Sequence, residues 1–269
     1  MSEHKIDCNL KVDVPESVVQ TVSTPVKNVL NPASKSIGKG LGNIFNVVFN
    51  PFKYLSEKQE IKYTLKLQQY KDELQEKLKK IPEEKLCEPD FQTVGTALEN
   101  SKYCIRSDIL RKMFVDLITN SMNVDMKNLV HPSLAQIINQ MSPLDAKILS
   151  IFSKNVINLP ICEYRLKEDD GYSVILTNVT FLFGTSNSIQ LNSISLSNLE
   201  RLGLIDITYA TYVTDQALYQ LAKEYLDNIA LKASNEANDK SLFFKYIMRK
   251  GKASLTPLGK TLIKVCLSD

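Results

Sequence analysis

The sequence predicts an α-rich α+β protein, in which a helical N-terminal half is followed by a winged-helix-like C-terminal part. Up to residue 154, apolar residues recur at spacings of three and four, which is the period of helices that bury one face. After residue 155, the runs LPICEYRL and GYSVILTNVTFLFG alternate and are rich in β-branched residues, as strands are. The segments that follow have the order helix, strand, hairpin and helix, which resembles the order of a winged helix.

We divide the chain into four parts. Residues 1–15 are expected to be a flexible tail, residues 16–56 a cationic apolar segment, residues 57–140 a helical domain and residues 141–269 a winged-helix-like domain. A chain of 269 residues with ordinary charged and apolar fractions is long enough for one large domain or two smaller ones.

Composition and charge restrict the class of protein. The net charge of +3 is too small to imply nucleic-acid binding by itself. The five cysteines are scattered, odd in number and without a CxxC pair, which favours reduced thiols over disulfides or a zinc site. The N-terminus lacks the apolar region of a secretory signal, and no window approaches the roughly 20 uninterrupted apolar residues of a spanning helix. We therefore expect a cytoplasmic protein. The segment 16–56 raises the alternative that the protein is attached peripherally at the inner face of the membrane.

The segment 16–56 contains no acidic residue from Ser17 to Ser56, and its only charges are lysines. Because a proline inside a helix kinks or restarts it, we expect one helix to end near Asn50 and another to start at Pro51. Six apolar residues share one face of these helices: Leu41, Ile44, Phe45, Val48, Phe52 and Leu55.

Two interpretations of this segment stay open. Val47 and Phe49 lie off the apolar stripe, so the helix is apolar nearly all round, and such a helix favours burial in the resting protein. Alternatively, a cationic amphipathic helix lies at a membrane interface with its lysines near the lipid headgroups. A buried segment that can be released satisfies both. The residues predicted to bind the membrane are Lys39, Phe45, Phe49, Phe52 and Lys53.

Residues 57–81 are predicted to form a helix that ends at Pro82. Two i,i+4 ion pairs, Glu73 with Lys77 and Glu76 with Lys80, favour it. Its apolar stripe consists of Leu67, Tyr70, Leu74, Leu78 and Ile81.

Three further helical regions follow before residue 154. Residues 91–122 are predicted to form two helices with a break near Lys102, the second capped by Ser107 or Asp108. Residues 131–140 are predicted to form a short helix. The run SPLDAKILSIF starts another, in which Ser142 is the cap, Pro143 takes the first helical position and Asp145 completes a variant of the capping box.

The C-terminal part mixes strands and helices. The run SLSNLERLGLI is predicted to be a helix that ends at Gly203 in the left-handed conformation, and IDITYATYV to be a strand. An amphipathic helix, DQALYQLAKEYLDNIALKA, comes next. The run FFKYIMRKGKASLT is predicted to be a hairpin that turns at Lys250 and Gly251, before a last helix in TPLGKTLIKVCL.

Catalytic, metal and phosphate-binding motifs are weak in this chain. His131, Ser133 and Asp145 suggest a hydrolase triad, but no strand-turn-helix elbow or glycine-rich loop surrounds Ser133. We favour the interpretation that His131 or Ser133 caps a helix and that Asp145 complements a helix dipole. Only two histidines are present, no cysteine has zinc-ligand spacing, and GKGLGN lacks the spacing of a phosphate loop. The sequence therefore predicts neither an enzyme nor a cofactor.

The C-terminal region raises the alternative of DNA binding. Seven basic residues and no acidic residue lie between Lys240 and Ser268. In a winged helix, Asn198 and Arg201 would reach bases, and Arg249, Lys250 and Lys252 would contact phosphates. Glu200 in the recognition position and a helical insertion at residues 214–233 weigh against this interpretation.

Several motifs together resemble one known family. They are the block HPSLAQIINQMSPLDAKIL with the helices before it, and the pair NLERLGLI and SLTPLG. This set is similar to the abortive infection alpha (Abi-alpha) family of bacterial and prophage-borne proteins. The departures are Leu134 and Met141, both of which are apolar replacements. The matching positions are Pro82, Glu88, Pro89, Leu98, Glu99, Leu110, Arg111, Phe114, Leu117, His131, Pro132, Ser133, Ser142, Asp145, Ala146, Leu199, Arg201, Leu202, Gly203, Leu204, Leu255, Thr256, Gly259 and Cys266.

The resemblance implies a role in stopping phage propagation by harming or arresting the infected host, and it implies no enzymatic activity. We therefore predict a non-enzymatic phage-defence protein that acts through binding or membrane perturbation, with a winged-helix DNA-binding regulator as the alternative. The expected partners are a protein or phage component, a membrane surface, DNA or a second copy of the chain, and the sequence leaves the choice open.

Overall fold

The computed structural model describes residues 32–49, 57–154, 156–181 and 189–267. Within these ranges the chain forms helices α1 to α9 and strands β1 to β4. The helices are α1 Pro32–Phe49, α2 Glu57–Lys79, α3 Phe91–Ser101, α4 Asp108–Ser121, α5 Ser133–Asn139, α6 Pro143–Phe152, α7 Ile189–Arg201, α8 Gln220–Glu236 and α9 Pro257–Cys266. The strands are β1 Asn158–Glu168, β2 Gly171–Val179, β3 Ile205–Thr208 and β4 Tyr246–Leu255. Short 3₁₀ helices occupy Glu83–Lys85, Lys127–Leu129, Gln216–Tyr219 and Lys240–Lys245.

Helix α4 lies at the centre of the helical part. It contacts α2, α3, α5, α6 and α9, and its residues 110–119 except Lys112 are buried. A helix that is apolar on several faces avoids water only by being surrounded. The helices predicted at 57–81, on either side of Lys102, and at 131–140 and 142–152 are confirmed.

Helix α1 buries one face despite the three glycines in its middle. Leu41 and Phe45 are buried, as their spacing predicts, and Val47 is 75% exposed. The prediction that Phe49 lies off the stripe is wrong, because Phe49 follows Phe45 by one helical turn and is equally buried. The helix ends at Phe49, close to the predicted end. The second helix predicted from Pro51 and the tail of residues 1–15 lie outside the described residues.

The four strands form an antiparallel sheet in the order β2-β1-β4-β3. Strands β1 and β2 make a hairpin that turns at Asp169 and Asp170. The hairpin predicted at Lys250 and Gly251 is wrong, because both residues lie within the single strand β4. A Cβ atom on Gly251 would lie 2.6 Å from the carbonyl oxygen of Thr208 and from the ring of Tyr209. The glycine is therefore needed for close packing and not for a turn.

One cluster of buried apolar side chains extends through both halves of the chain. It includes Phe45 of α1, Phe114 of α4, Leu149 of α6, Leu196 of α7 and Val265 of α9. A smaller cluster lies under α8 and includes Cys162, Tyr164, Ala222 and Leu226. The larger cluster crosses the predicted boundary between residues 140 and 141, and the domain limits themselves stay predictions. An α-rich chain with a sheet in its C-terminal part is confirmed.

None of the helices in the described ranges combines the length and the apolar character that crossing a membrane requires.

Candidate functional site

The apolar face of α1 rests on an aromatic cluster. The rings of Phe45 and Phe49 are stacked with centroids 4.5 Å apart, and both contact Tyr70 of α2 at 5.7 and 6.2 Å. Tyr70 is fully buried, and burial raises the pKa of its phenol, so the ring stays neutral. The Lys71 ammonium lies 5.2 Å from the centroid of the Phe45 ring. We call the buried Tyr70 side chain, on which Phe45 and Phe49 pack, the α1 seat.

Two of the five residues predicted to bind a membrane are thus covered in this structure. Phe45 and Phe49 face the seat, whereas Lys39 is exposed on the outer side of α1. Phe52 and Lys53 lie outside the described residues. Gly40 faces Pro89 just before α3, and its missing Cβ atom would lie 3.9 Å from the proline ring. Helix α1 is therefore held by both α2 and α3, and membrane contact stays a prediction.

The HPS motif lies at the start of α5, where Pro132 is the N-cap residue. The backbone N–H of Ser133 donates to His131 Nδ1 at 3.1 Å, and the Ser133 hydroxyl lies 2.7 Å from the same nitrogen. The side chain of His131 thus accepts the first N–H of α5, but the N-cap residue is Pro132, so the prediction that His131 or Ser133 is the cap and Pro132 the first helical residue is wrong. The Asp145 carboxylate, the third member of the suggested triad, binds other groups.

Asp145 joins α6 to α7. Its capping box with Ser142 is present, as predicted. Its carboxylate also accepts hydrogen bonds from Asn198 Nδ2 at 2.8 Å and from the Ser195 hydroxyl, and only 2% of the residue is exposed. A buried carboxylate needs such donors, because an unpaired charge away from water is costly. Asp145 is thus an anchor between two helices.

The two residues predicted to read bases lie side by side at the end of α5. Asn198 donates to the carbonyl oxygen of Gln140 at 3.1 Å, and Arg201 donates to the side-chain oxygen of Gln140 at 3.1 Å. Arg201 also donates to Asn198 Oδ1 at 2.8 and 3.0 Å. Arg201 remains exposed, so contact with DNA by this pair stays a prediction.

The three predicted phosphate-binding residues alternate along β4 and do not share one face. Arg249 lies opposite Glu163, 3.9 Å from its carboxylate, and its guanidinium lies 5.4 Å from the ring centroid of Tyr209. Lys250 hydrogen-bonds to Gln216 and lies 5.3 Å from the ring centroid of Tyr219. Lys252 follows on the face of Lys250 and is half-buried. They form no wing tip, and their contact with phosphate stays a prediction.

The motifs NLERLGLI and SLTPLG form one junction. Gly203 has φ of 70°, and the N–H of Leu204 donates to Leu199 O at 3.0 Å, which is the predicted left-handed helix end. The Thr256 hydroxyl donates to Gly203 O at 2.6 Å and accepts from the N–H of Gly259 at 3.0 Å. The end of α7 and the start of α9 therefore satisfy each other's backbone groups.

Sequence reasoning missed a buried ion pair. Glu73 accepts hydrogen bonds from Arg111 Nε and Nη2 at 2.9 and 2.8 Å, and Lys77 pairs with Asp116 at 2.6 Å. The predicted pairing of Glu73 with Lys77 is therefore wrong, because each finds a partner on α4. The signal was available, since Arg111 and Asp116 interrupt an apolar face of α4.

The described residues contain no group of three or more His, Cys, Asp or Glu side chains that could hold a metal ion. The described cysteines Cys87, Cys104, Cys162 and Cys266 are free. Burial raises the pKa of the Cys162 thiol to about 12 and that of the Cys266 thiol well above its usual value. These two thiols are thus held in the unreactive protonated form at neutral pH.

Comparison with known proteins gives one match. A protein-family model described as abortive infection alpha matches residues 62–266, which include every helix and strand described above from α3 to α9. The match begins after α1 and within α2. No curated protein and no solved structure matches the chain. The chain belongs to the abortive infection alpha family.

Proposed function

We propose that this protein is a phage-defence effector that acts without catalysis, by binding a membrane surface through its N-terminal cationic apolar segment. The family points to abortive infection, in which the infected host is harmed or arrested. The observation that carries the proposal is the α1 seat, where Phe45 and Phe49, stacked on each other, pack against the buried Tyr70. In the resting protein the seat covers the apolar face, and a phage component that displaces α1 uncovers it.

The two faces of α1 fit this role. Its buried face carries Leu41, Phe45 and Phe49, each of which gains about 1.5–3 kcal/mol from leaving water. Its outer face carries Lys39 and asparagines, and the whole segment from Ser17 to Ser56 lacks acidic residues. An apolar face with lysines beside it binds the interface of an anionic bilayer.

The position of α1 at the margin of the core supports release without unfolding. Helix α4 makes its packing contacts with α2, α3, α5, α6 and α9. Helix α1 adds one apolar stripe on the outside of α2 and α3, and it precedes the part of the chain that the family model matches. Loss of α1 therefore leaves the centre of the helical part intact.

Flotation with vesicles of phosphatidylglycerol and phosphatidylethanolamine tests the proposal. Tyr70→Ala weakens the seat without changing α1, so we expect this variant to float with the vesicles more than the wild type does. Adding Phe45→Ser and Phe49→Ser should abolish the gain, whereas adding Val47→Ser, at an exposed position of the same helix, should reduce it far less. Circular dichroism checks that each variant is folded.

The result that contradicts the proposal is equal recovery with lipid for the full chain, the Tyr70→Ala variant and a chain lacking residues 1–56. The same variants are then compared in infected cells by membrane potential and phage yield. Effector action requires that the chain lacking residues 1–56 protects less than the full chain.

A winged-helix DNA-binding regulator is the second candidate, and exposed cations at Arg201 and Arg249 favour it. The predicted wing tip at Lys250 and Gly251 is absent, and the turn of the β1–β2 hairpin carries the acidic residues Asp169 and Asp170, which would repel phosphates, so both observations weigh against it. Fluorescence anisotropy with duplex DNA over a salt series decides between them. A regulator requires affinity that falls steeply with salt and weakens in the Arg201→Ala and Lys252→Ala variants.

A further inference from the structure

Among the residues that the structure describes, strand β2 forms an uncovered edge of the sheet. Of the two outer strands, β3 is four residues long and carries the exposed Asp206, whereas β2 is nine residues long and carries no charge. Three apolar side chains of β2, Tyr172, Val174 and Ile175, are 54%, 52% and 44% exposed. Proteins protect outer strands with charges, prolines or short length, because an unprotected edge pairs with other strands. Strand β3 has such protection, whereas the register shifts of β2 against β1 come after Val174 and leave Gly171 to Val174 regularly paired.

The open part of the edge has defined limits. At its C-terminal end, α7 covers β2, because the Ser193 hydroxyl donates to Thr177 O at 2.7 Å. At its N-terminal end, Glu168 pairs with Gly171 around a two-residue turn. Alternation from this closing pair directs the backbone groups of Tyr172 and Val174 away from β1 and those of Ser173 toward it. Within the described residues, β2 pairs with β1 alone.

We propose that two copies of this chain pair antiparallel through the β2 edge, around a two-fold axis at Ser173. This register places Tyr172 of one copy opposite Val174 of the other, twice by symmetry. Aromatic and β-branched residues are favourable cross-strand neighbours, and the two four-stranded sheets become one of eight strands.

The absence of charge on the β2 side chains favours a second copy of the chain as the partner of this edge. The side chains of β2 are uncharged, so two identical strands meet without repulsion. The antiparallel arrangement also brings the acidic turn Asp169–Asp170 of one copy to the end of β2 of the other. There the first turns of α7 lie against Thr177 and Thr180. Acidic residues are favourable beside the N-terminal end of a helix.

Sedimentation velocity over a range of concentrations tests the pairing in the full chain. The wild type should approach twice the chain mass of 30.4 kDa as concentration rises. Val174→Lys places a charge opposite Tyr172 and should raise the dissociation constant at least 10-fold. Leu65→Lys makes the same change at an exposed position of α2, in the helical part, and should leave the dissociation constant unchanged. A wild type that stays monomeric at about 100 μM, or equal effects of the two variants, overturns the proposal.

A cysteine at the axis tests the register. In a dimer of the Ser173→Cys variant, the two new thiols lie opposite each other across the axis. They belong to a non-hydrogen-bonded pair, in which the Cβ atoms are close enough for a disulfide. With Cys8 and Cys87 replaced by serine, mild oxidation should convert this variant into a covalent dimer. Thr177→Cys in the same background should not react. Cross-linking of Thr177→Cys as fast as that of Ser173→Cys would overturn the proposed axis. Neither test depends on α1 or on lipid.

Discussion

Arg111 is buried among apolar side chains of α4, and three groups accept hydrogen bonds from its guanidinium. It donates to both carboxylate oxygens of Glu73, to Asp108 at 2.6 Å and to the carbonyl oxygen of Ile105 at 3.2 Å. A planar guanidinium with five N–H groups suits this arrangement, which the single ammonium of a lysine cannot reproduce. A residue that matches the family pattern thus stabilises the contact between α2 and α4.

Replacing Arg111 with alanine tests this role. Breaking a buried ion pair costs about 3–5 kcal/mol, and we expect the lower end, about 3 kcal/mol, because Glu73 remains 20% exposed and regains some water. Urea unfolding measures the loss. Lys112→Ala, at the exposed neighbouring position, should change the free energy of unfolding by less than about 0.5 kcal/mol. Similar stability of the two variants would contradict the assignment.

Asp108 makes stability depend on pH. Hydrogen bonds from Lys66 and then Arg111 lower the pKa of its carboxyl from 3.8 to about 2. A group with a lowered pKa in the folded state stabilises the protein above its unfolded pKa and ceases to do so as pH falls through its folded pKa. The wild type should therefore exceed Asp108→Asn in urea midpoint at pH 5 and lose that advantage by about pH 2. A constant difference between the two proteins from pH 5 to 2 would count against this linkage.

At the scale of elements, the junction between α7 and α9 explains why two short motifs occur together. The N–H of Thr256 donates to Leu204 O at 3.1 Å, and Gly259 packs directly on the same carbonyl group. By itself, NLERLGLI is only the end of one helix and SLTPLG only the start of another. Their contact is what aligns the last helix with the core.

Two glycine-to-alanine variants separate close packing from helix propensity. A Cβ atom on Gly259 would lie 2.0 Å from Leu204 O, so Gly259→Ala should destabilise the protein by about 1–3 kcal/mol. A Cβ atom on Gly95 in α3 would meet only the Phe91 ring at 3.9 Å, so Gly95→Ala should stabilise it by about 0.5–1 kcal/mol. Thermal and urea unfolding of both variants check the opposite signs. Two changes of the same sign would show that the packing argument is wrong.

At the scale of the whole molecule, the helical part and the sheet share one core. The side chain of Asn120 in α4 donates to Val265 O in α9 at 2.7 Å, and the large apolar cluster includes residues of every described α-helix except α8. A fragment of residues 57–140 would expose the face of α4 that α9 covers. The two parts are therefore expected to depend on each other for stability.

Calorimetry tests this dependence. Because the core is shared, we expect a single unfolding transition whose calorimetric and van't Hoff enthalpies agree. Asn120→Ala should lower the temperature of that one transition. Two separate transitions, of which only one responds to Asn120→Ala, would instead support independent domains divided near residue 140.

Helix caps and helix periods were predictable from the sequence because they depend on neighbours within a few residues. Ser142 with Asp145, Gly203 at the end of α7, and the stripe from Leu67 to Leu78 are of this kind. Phe49 was misplaced because Phe52 and Leu55 were counted on the same stripe across Pro51. In the candidate site, the sequence identified the α1 residues and could not identify Tyr70 as their seat.

The sequence alone predicted which segments are helices and where most of them begin and end, and it favoured a cover for the acid-free apolar helix. The tertiary structure decided what provides that cover, that Glu73 pairs with Arg111, that Gly251 lies inside a strand, and that β2 is left at the edge. The difference arises from how far apart in the chain the interacting residues lie. Caps and periodicity act between residues three or four apart, whereas ion pairs, close backbone contacts and strand order depend on residues far apart in the chain.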